Sequence, residues 1–370
     1  MKGAHLPAIV YAIFGFSLGC LAIARLVGNP LTLYAEQRSE KLELLSKHLD
    51  DSCSAAFGSS HIHNGFDPRV FDETLGLHSI PSHSLNLAIE GGSQTEQFVM
   101  AKLFLSQLQR TRAGRDCLIM LELNAGANLQ TRHLVHPRSI NIYDASTAEV
   151  SLQFSDTGLS LLRRLGRASF AFAATSMHYL NVGMLESRVL PRQTKRDLLD
   201  RESDFDRRGL LIEPPNVADA MIVNEKFRSR PPAPRIVRVA LMPGPRILVS
   251  KLEQAPGGHG VSYILIVAPK LSDLVSFEEY PDCVVVGDAR IDVINVARPP
   301  DFPSLYQPEL WHDDAHLNEA GATVYTRLIA EDISRRKAQP QVSGECGGPA
   351  AKGPVKTATT YAALTTADVG

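Results

Sequence analysis

The stretch Cys-Ser-Ala-Ala-Phe-Gly-Ser-Ser-His, residues 53–61, contains the pattern that decides the fold. Its first five residues form a short apolar run, which ends abruptly at Gly58-Ser59-Ser60-His61. This order is typical of a buried strand followed by a tight turn, where an α/β fold presents its ligand-facing residues. Such a turn would expose the Ser60 hydroxyl and direct the Ser60 backbone N–H toward the same ligand.

Further along the chain, apolar runs alternate with helical patterns. Strands are predicted at residues 84–89, 117–123, 262–268 and 283–287, and helices at residues 36–49, 95–109, 159–179 and 318–337. This alternation indicates a mostly parallel sheet with helices on both faces. In such a sheet the ligand site lies at the carboxyl ends of the strands. Three notable segments follow such ends, namely residues 58–61, residues 91–93 and Asn124.

Length and composition fit a globular protein. The chain has 370 residues, 44% hydrophobic and 21% charged, which suffices for one large α/β domain with an insertion. The net charge of −2 argues against nucleic acid as a partner, because phosphate binding needs a basic surface. The pattern loosens over residues 146–251, which we interpret as a mostly helical insertion or cap. Residues 338–370 lack an apolar period and predict a disordered tail.

The amino-terminal segment predicts a membrane-spanning helix. Residues 6–27 carry no charge except Arg25, and a helix of that length would be about 33 Å long, enough to cross a bilayer core. Lys2 precedes the run and favours a cytoplasmic amino terminus with an exported remainder. A cleaved signal peptide is the alternative. We therefore predict a membrane anchor at residues 1–28, a linker helix at 29–50 and the α/β domain at 51–337.

The cysteines favour no metal site. The five cysteines show no CxxC and no Cys/His spacing of a structural zinc site. An exported domain could form a disulfide, but the sequence alone does not give the pairing. Buried free thiols are the alternative for Cys53, Cys117 and Cys283.

The second reactive segment lies near the other end of the chain. Residues 311–318 read Trp-His-Asp-Asp-Ala-His-Leu-Asn, with Asp313 three residues before His316 and a predicted helix directly after. A serine hydroxyl becomes a nucleophile when a base takes its proton, and the base needs an orienting acid. One loop could supply both partners here. The sequence therefore predicts a triad of Ser60, His316 and Asp313.

Together these segments resemble the SGNH/GDSL hydrolase superfamily, and more closely its membrane-anchored members tied to acylation of cell-surface polysaccharides. Residues 58–61, followed by Gly-Phe-Asp-Pro at 65–68, are similar to the first block, whose second serine is the nucleophile. Asn-Leu-Ala-Ile-Glu-Gly at 86–91 resembles the second block, whose closing glycine donates a backbone N–H to the oxyanion hole. Asp-Asp-Ala-His-Leu-Asn at 313–318 resembles the last block, where Asp-x-x-His supplies acid and base. The resemblance covers residues 29–337 except the insertion.

The resemblance implies an SGNH-type, flavodoxin-like fold and a set of roles. Ser60 would be the nucleophile, Asp313 and His316 the acid and base, and the N–H groups of Ser60 and Gly91 the oxyanion donors. The third block, Gly-x-Asn-Asp, is incomplete, so Asn124 (or, less favourably, Asn128) would supply the side-chain donor. The implied activity is an esterase or O-acyltransferase on acyl, above all acetyl, esters of a surface or secreted glycan, without a cofactor. The implied location is membrane-anchored and periplasmic, with a membrane-bound O-acyltransferase as a candidate partner.

Two other functions remain open. The incomplete third block is compatible with a non-catalytic carbohydrate-binding or assembly protein on the same scaffold. His61 and His63 alternate, so with Asp313 and His316 they could instead form a hydrolytic zinc site. Extended backbone at residues 61–63 would be required for that site, whereas a helix or loop is expected there.

Overall fold

The structure, a computed structural model, describes residues 10–12, 14–19, 22, 36–48, 50–52, 54–111, 117–124, 142–153, 160–180, 207–212, 217–239, 243–287, 289–338 and 346. Within these residues, no helix is both long enough and apolar enough to span a membrane. Most of the predicted anchor at residues 1–28 lies outside the described residues, as does nearly all of the predicted tail at 338–370. Both stay predictions.

A six-stranded, mostly parallel sheet forms the centre of the domain. In chain order the strands are β1 (Ser54–Phe57), β2 (Ser84–Asn86), β3 (Leu118–Glu122), β4 (Arg235–Arg238), β5 (Ser262–Val267), β6 (Ser276–Glu279), β7 (Cys283–Val286) and β8 (Ala289–Asn295). The sheet has the order β2-β1-β3-β5-β8-β7, and only its edge strand β7 is antiparallel to its neighbour. Its five parallel strands follow the flavodoxin-like order. Strands β4 and β6 pair separately.

Helices cover both faces of the sheet, as the sequence predicted. They are α1 (Glu36–His48), α2 (Ser60–Gly65), α3 (Pro68–Leu77), α4 (Gln94–Thr111), α5 (Ala145–Gln153), α6 (Leu161–Leu180), α7 (Val217–Arg228), α8 (Pro243–Glu253) and α9 (Glu319–Ala338). Successive strand residues point to opposite faces. In β1, Phe57 accordingly packs with α1, α4 and α8, whereas Ala56 packs with α2, α3 and α9.

Two domain boundaries differ from those predicted. The helix predicted as a linker, α1, packs into the domain: Leu44 and Leu45 are buried, and a buried ion pair joins Arg38 to Glu96 on α4. At the other boundary, α8 was assigned to the insertion, yet Leu248 and related side chains lie in the main core. Helix α8 therefore belongs to the β3-to-β5 crossover that a parallel sheet requires.

The insertion also protects an edge of the sheet. Residues 207–212 lie beside the edge strand β2, where Asn86 N–H donates to the Arg208 carbonyl at 2.9 Å. A Cβ on Gly209 would lie 2.0 Å from the Asn86 carbonyl oxygen, so only glycine fits there. Covering an edge strand in this way prevents its free N–H and C=O groups from pairing with another chain.

One disulfide ties the end of the domain to the sheet. Cys283 on β7 is bonded to Cys346, with a Cα–Cα distance of 5.4 Å. Cys117 is buried and belongs to no disulfide, and Cys53 lies outside the described residues. The disulfide that the sequence left open is thus present, and the free-thiol alternative holds for Cys117 but not for Cys283.

Candidate active site

The predicted nucleophile stands at the junction of β1 and α2. Strand β1 ends at Phe57, Ser59 caps the short helix α2 with extended backbone, and Ser60 is its first residue. A Cβ on Gly58 would lie 2.5 Å from Ile62 Cγ1 and 2.6 Å from Glu122 Oε2, so the turn has no room for a side chain there. Because strand order reverses between β1 and β3, Ser60 lies at the crevice where such sheets bind ligands.

Two distant side chains hold α2 in place. The Asn86 carboxamide donates to the carbonyls of Ile62, His63 and Phe66, at 2.8, 3.2 and 2.8 Å, and so satisfies the last turn of α2. On α9, the Thr326 hydroxyl accepts from the Asp67 N–H at 2.8 Å and donates to the Gly65 carbonyl at 3.2 Å. A helix of only six residues is marginal alone, so these buried bonds fix its position.

The structure brings the three predicted triad residues together. His316 Nε2 lies 2.8 Å from Ser60 Oγ, across 256 positions of sequence. His316 Nδ1 lies 2.8 Å from Asp313 Oδ2. Both distances are those of good hydrogen bonds. The hydroxyl, the imidazole and the carboxylate therefore form one continuous line, the arrangement that allows a serine to lose its proton to histidine.

The loop that carries the acid and the base is held rigidly. Trp311 and Leu317 form a β-bridge, and the His312 N–H donates to the His316 carbonyl at 2.9 Å. Asn318 closes the loop onto α9, because its side-chain oxygen accepts from the Gly321 N–H at 3.0 Å. Trp311 is itself buried and donates from Nε1 to the Leu305 carbonyl, so it is a packing residue.

Asp313 remains ionised under all ordinary conditions. Burial raises the pKa of its carboxyl group, but hydrogen bonds from the His316 side chain and from the Ala315 and His316 N–H groups outweigh burial and lower it to about 2. Both backbone bonds, at 2.7 Å, go to Oδ1, which leaves Oδ2 for the imidazole. The base thus has a permanently charged partner.

The predicted backbone donors of the oxyanion hole lie on neighbouring turns. The Ile89 N–H donates to the Gly58 carbonyl at 3.1 Å, and a Cβ on Gly92 would lie 2.5 Å from the same oxygen, so the 89–92 turn packs directly on the nucleophile turn. Gly91 has φ +60°, which favours glycine. Within the described residues, neither the Ser60 nor the Gly91 N–H takes part in a hydrogen bond. Both are available to a ligand oxygen.

Both polar atoms of the Asn124 carboxamide form hydrogen bonds to the backbone of Ala268. Its Nδ2 donates to the Ala268 carbonyl at 2.9 Å, and its Oδ1 accepts from the Ala268 N–H at 3.1 Å. The side chain thereby extends the pairing of β3 with β5 by one rung. These bonds use one of the two Nδ2 hydrogens and clamp the two strands together. The role of Asn124 as an oxyanion donor stays a prediction, and Asn128 lies outside the described residues.

A second hydrogen-bonded group, which the sequence did not predict, lies beside the triad. The buried Glu122 carboxyl accepts from the Ser59 N–H at 2.5 Å and from Ser59 Oγ at 3.1 Å, and Ser59 Oγ lies 2.8 Å from His61 Nδ1. Burial and the nearby Glu122 carboxylate raise the pKa of Tyr325 well above its usual range. The only sequence signal was a glutamate ending an otherwise apolar strand, Leu118–Glu122.

The described residues contain no group of three His, Cys, Asp or Glu side chains placed to hold a metal ion. The two alternating histidines of the zinc alternative lie on the helix α2, where side chains two positions apart point in different directions. His61 stacks on His316, with ring centroids 5.4 Å apart. His63 is buried in α2, and its carbonyl accepts from the Leu211 N–H.

Comparison with known proteins adds no family to this description. No family model matches the chain, and no curated protein matches it either.

Proposed function

We propose that the protein is an SGNH-type serine esterase or O-acyltransferase that acts on acyl esters, in the first place acetyl esters, of a cell-surface or secreted polysaccharide. One observation carries the proposal: the continuous line from Ser60 Oγ through His316 to Asp313, with 2.8 Å at each step. In this line the Asp313 carboxylate accepts a hydrogen bond from His316 Nδ1–H, so the lone pair on Nε2 faces the serine.

The reaction proceeds in two balanced steps. Ser60 Oγ attacks the ester carbonyl while His316 takes its proton, and His316 then gives that proton to the departing alcohol. Water or a sugar hydroxyl next attacks the acyl-Ser60 ester, loses its proton to His316, and His316 returns the proton to Ser60. The N–H groups of Ser60 and Gly91 stabilise the oxyanion of both tetrahedral intermediates, and each such donor is typically worth about 100- to 1000-fold in rate.

The proposed location is outside the cytoplasm, next to a membrane. The Cys283–Cys346 disulfide supports export, because disulfides persist in oxidising compartments. The apolar segment at residues 6–27 supports anchoring. At this location the domain could receive acyl groups from a membrane-bound O-acyltransferase or act on glycans as they pass.

A serine-directed fluorophosphonate probe and p-nitrophenyl acetate test the proposal. We expect Ser60→Ala to abolish labelling and to lower ester cleavage about 1000-fold or more, with an unchanged melting temperature. Ser52→Ala is the matched control, because Ser52 Oγ also lies close to a histidine, 2.6 Å from His83 Nδ1, but at the opposite end of the strands.

The same experiment addresses the binding-protein alternative. A well-folded wild-type protein that neither reacts with the probe nor cleaves the ester would overturn the enzymatic proposal and favour a carbohydrate-binding function. In cells, the acetyl content of the surface polysaccharide in a Ser60→Ala strain then indicates direction: an esterase defect raises it, and a transferase defect lowers it.

A further inference from the structure

Glu122, Ser59 and His61 form a hydrogen-bonded group beside the triad. Glu122 ends β3, Ser59 caps α2, and His61 directly follows the nucleophile. Their side chains are linked at 3.1 Å (Ser59 Oγ to Glu122 Oε1) and 2.8 Å (Ser59 Oγ to His61 Nδ1), and His61 Nδ1 also lies 3.5 Å from Glu122 Oε1. A buried carboxyl group thus orients a second imidazole at the site.

The hydrogen bonds determine which nitrogen of His61 carries the proton. Ser59 has one hydroxyl hydrogen, which it donates to Glu122. Its contact with His61 must then use a proton on Nδ1, and Nδ1–H also suits the nearby carboxylate oxygen. In a neutral ring the other nitrogen, Nε2, consequently holds a lone pair. Within the described residues, the hydrogen-bond contacts of the His61 ring are made by Nδ1 and leave Nε2 for a ligand.

The position of this lone pair suits a substrate group. The His61 ring stacks on the His316 ring, at 5.4 Å between centroids and 26° between planes. Both side chains are partly exposed, His61 by 19% and His316 by 21%. A molecule that reaches Ser60 and His316 therefore lies next to the partly exposed His61 side chain as well.

We propose that His61 Nε2 accepts a hydrogen bond from a hydroxyl of the acyl acceptor, so that the site favours transfer to a sugar carrying neighbouring hydroxyls over transfer to water. This inference rests on the proposed function and names its acceptor. One acceptor oxygen forms the new bond to the acyl carbon, the Ser60 ester bond breaks, and the acceptor proton passes through His316 to Ser60. His61 exchanges no proton and binds a second hydroxyl of the same sugar. Water has no second hydroxyl to offer.

Ser59 and Glu122 act through His61 and are positioning residues. Without the Ser59 hydroxyl, only the longer 3.5 Å approach of Nδ1 to Glu122 Oε1 favours this tautomer, so the ring would present a donor to the sugar in part of the molecules. Ser59→Thr keeps the hydroxyl and should retain transfer, whereas Ser59→Ala should show the defect of the His61 variants. A purely structural role of Ser59 would not change the choice of acceptor.

The test measures how the acyl-enzyme divides between acceptors. The purified full chain receives p-nitrophenyl acetate with ethylene glycol, a vicinal diol, or with ethanol at equal concentration, and the ratio of acetyl ester formed to acetate released is determined. This ratio is independent of the amount of active enzyme. We expect His61→Phe, which keeps a flat ring for stacking, to lower the ratio about tenfold for the diol and little for ethanol, as the loss of one hydrogen bond predicts. His83→Phe is the matched control, because His83 also bonds to a serine, away from the site.

The possible outcomes distinguish this inference from the proposed function. An unchanged diol ratio in both His61→Phe and His61→Gln overturns the inference and leaves the proposed function intact, as does an equal fall for diol and ethanol. If wild-type protein shows no Ser60-dependent acetate release, the proposed function fails and this inference with it. If His61→Phe does not fold, His61→Leu, which also lacks a hydrogen-bond acceptor, gives the same comparison.

Discussion

Asp313 uses its two carboxylate oxygens for different tasks. Oδ2 bonds to the imidazole, and Oδ1 accepts two backbone N–H groups of its own loop. An asparagine could keep the loop bonds, but its NH₂ group would face Nδ1 and favour the tautomer with a proton on Nε2. We therefore expect Asp313→Asn to lower kcat about 10³- to 10⁴-fold with little change in melting temperature. Ester-cleavage kinetics and thermal melts check this.

A matched control for that substitution lies next in sequence. Asp314 is exposed in the same loop, so Asp314→Asn should retain nearly full activity. Because the pKa of Asp313 is lowered to about 2, its own titration should not limit activity above about pH 4. A wild-type rate that falls between pH 8 and pH 4 must then reflect another group. If Asp313→Asn retained more than a tenth of wild-type kcat, the orienting role of Asp313 would be wrong.

Single residues were predictable where a motif fixes both spacing and neighbours. Ser60 follows an apolar run into a turn, and Asp313 and His316 share one loop, so their order along the chain indicated a common site. The direction of a side chain at a strand end depends on tertiary contacts. Asn124 therefore pairs with Ala268, and Glu122 bonds to Ser59 beside His61, neither of which composition or spacing could reveal.

Among the elements, those with long apolar runs matched the sequence best. Strands β3 and β5 and helix α9 lie close to their predicted bounds. Strand β8 was missed because it is only half buried and alternates charged with apolar residues, as Arg290 and Asp292 show. Helix α8 begins with Pro-Gly-Pro, which suggests a loop, although proline is well tolerated in a first helical turn.

The 3-10 turn Leu271–Leu274 supports the catalytic loop and contains a strongly perturbed acid. The Leu271 N–H donates to the Asp314 carbonyl at 3.3 Å. Within the turn, burial raises the pKa of Asp273 from 3.8 to about 7, against the opposing effects of hydrogen bonds from the Lys270 N–H and the Tyr306 hydroxyl. The folded protein thus holds a proton that the unfolded chain has already lost between about pH 4 and pH 7.

This difference predicts a pH dependence of stability. Since the folded state binds the extra proton, the contribution of Asp273 to the free energy of unfolding should fall as pH rises from about 4 to 7 and level off above. Asp273→Asn keeps the acceptor oxygen without the charge, so it should stabilise the protein at pH 8, by roughly 2–4 kcal/mol, and have little effect near pH 4. Urea unfolding at both pH values measures it. Asp301→Asn, at a partly exposed ion pair with Arg298, is the control. Parallel pH profiles for wild type and Asp273→Asn would contradict the prediction.

For the molecule as a whole, the sequence pattern predicted the class of fold but not the contacts between segments that are far apart in sequence. The insertion was predicted as a cap, yet residues 207–212 pair along β2 and α8 enters the core. Such contacts join segments about a hundred residues apart and depend on local backbone, such as φ +52° at Arg208 and +97° at Gly209. No periodic pattern encodes the contact of residues 207–212 with β2, because one hydrogen bond and one close approach of Gly209 determine it.

The Cys283–Cys346 disulfide closes a covalent loop that contains residues 283–346, with a sequence separation of 63. Restricting the unfolded chain over that length should stabilise the fold by about 4 kcal/mol in the chain-entropy view, or roughly 10 °C in melting temperature. The double variant Cys283→Ser, Cys346→Ser should melt lower by that amount, and dithiothreitol should lower the melting temperature of the wild type but not of the variant. Ester cleavage at 25 °C should survive in both, because β7 lies at the edge of the sheet farthest from β2 and several strands from Ser60. A wild-type melting temperature unaffected by reductant would show that the bond contributes nothing to stability, and a non-reducing peptide map lacking the 283–346 pair would remove the argument for export.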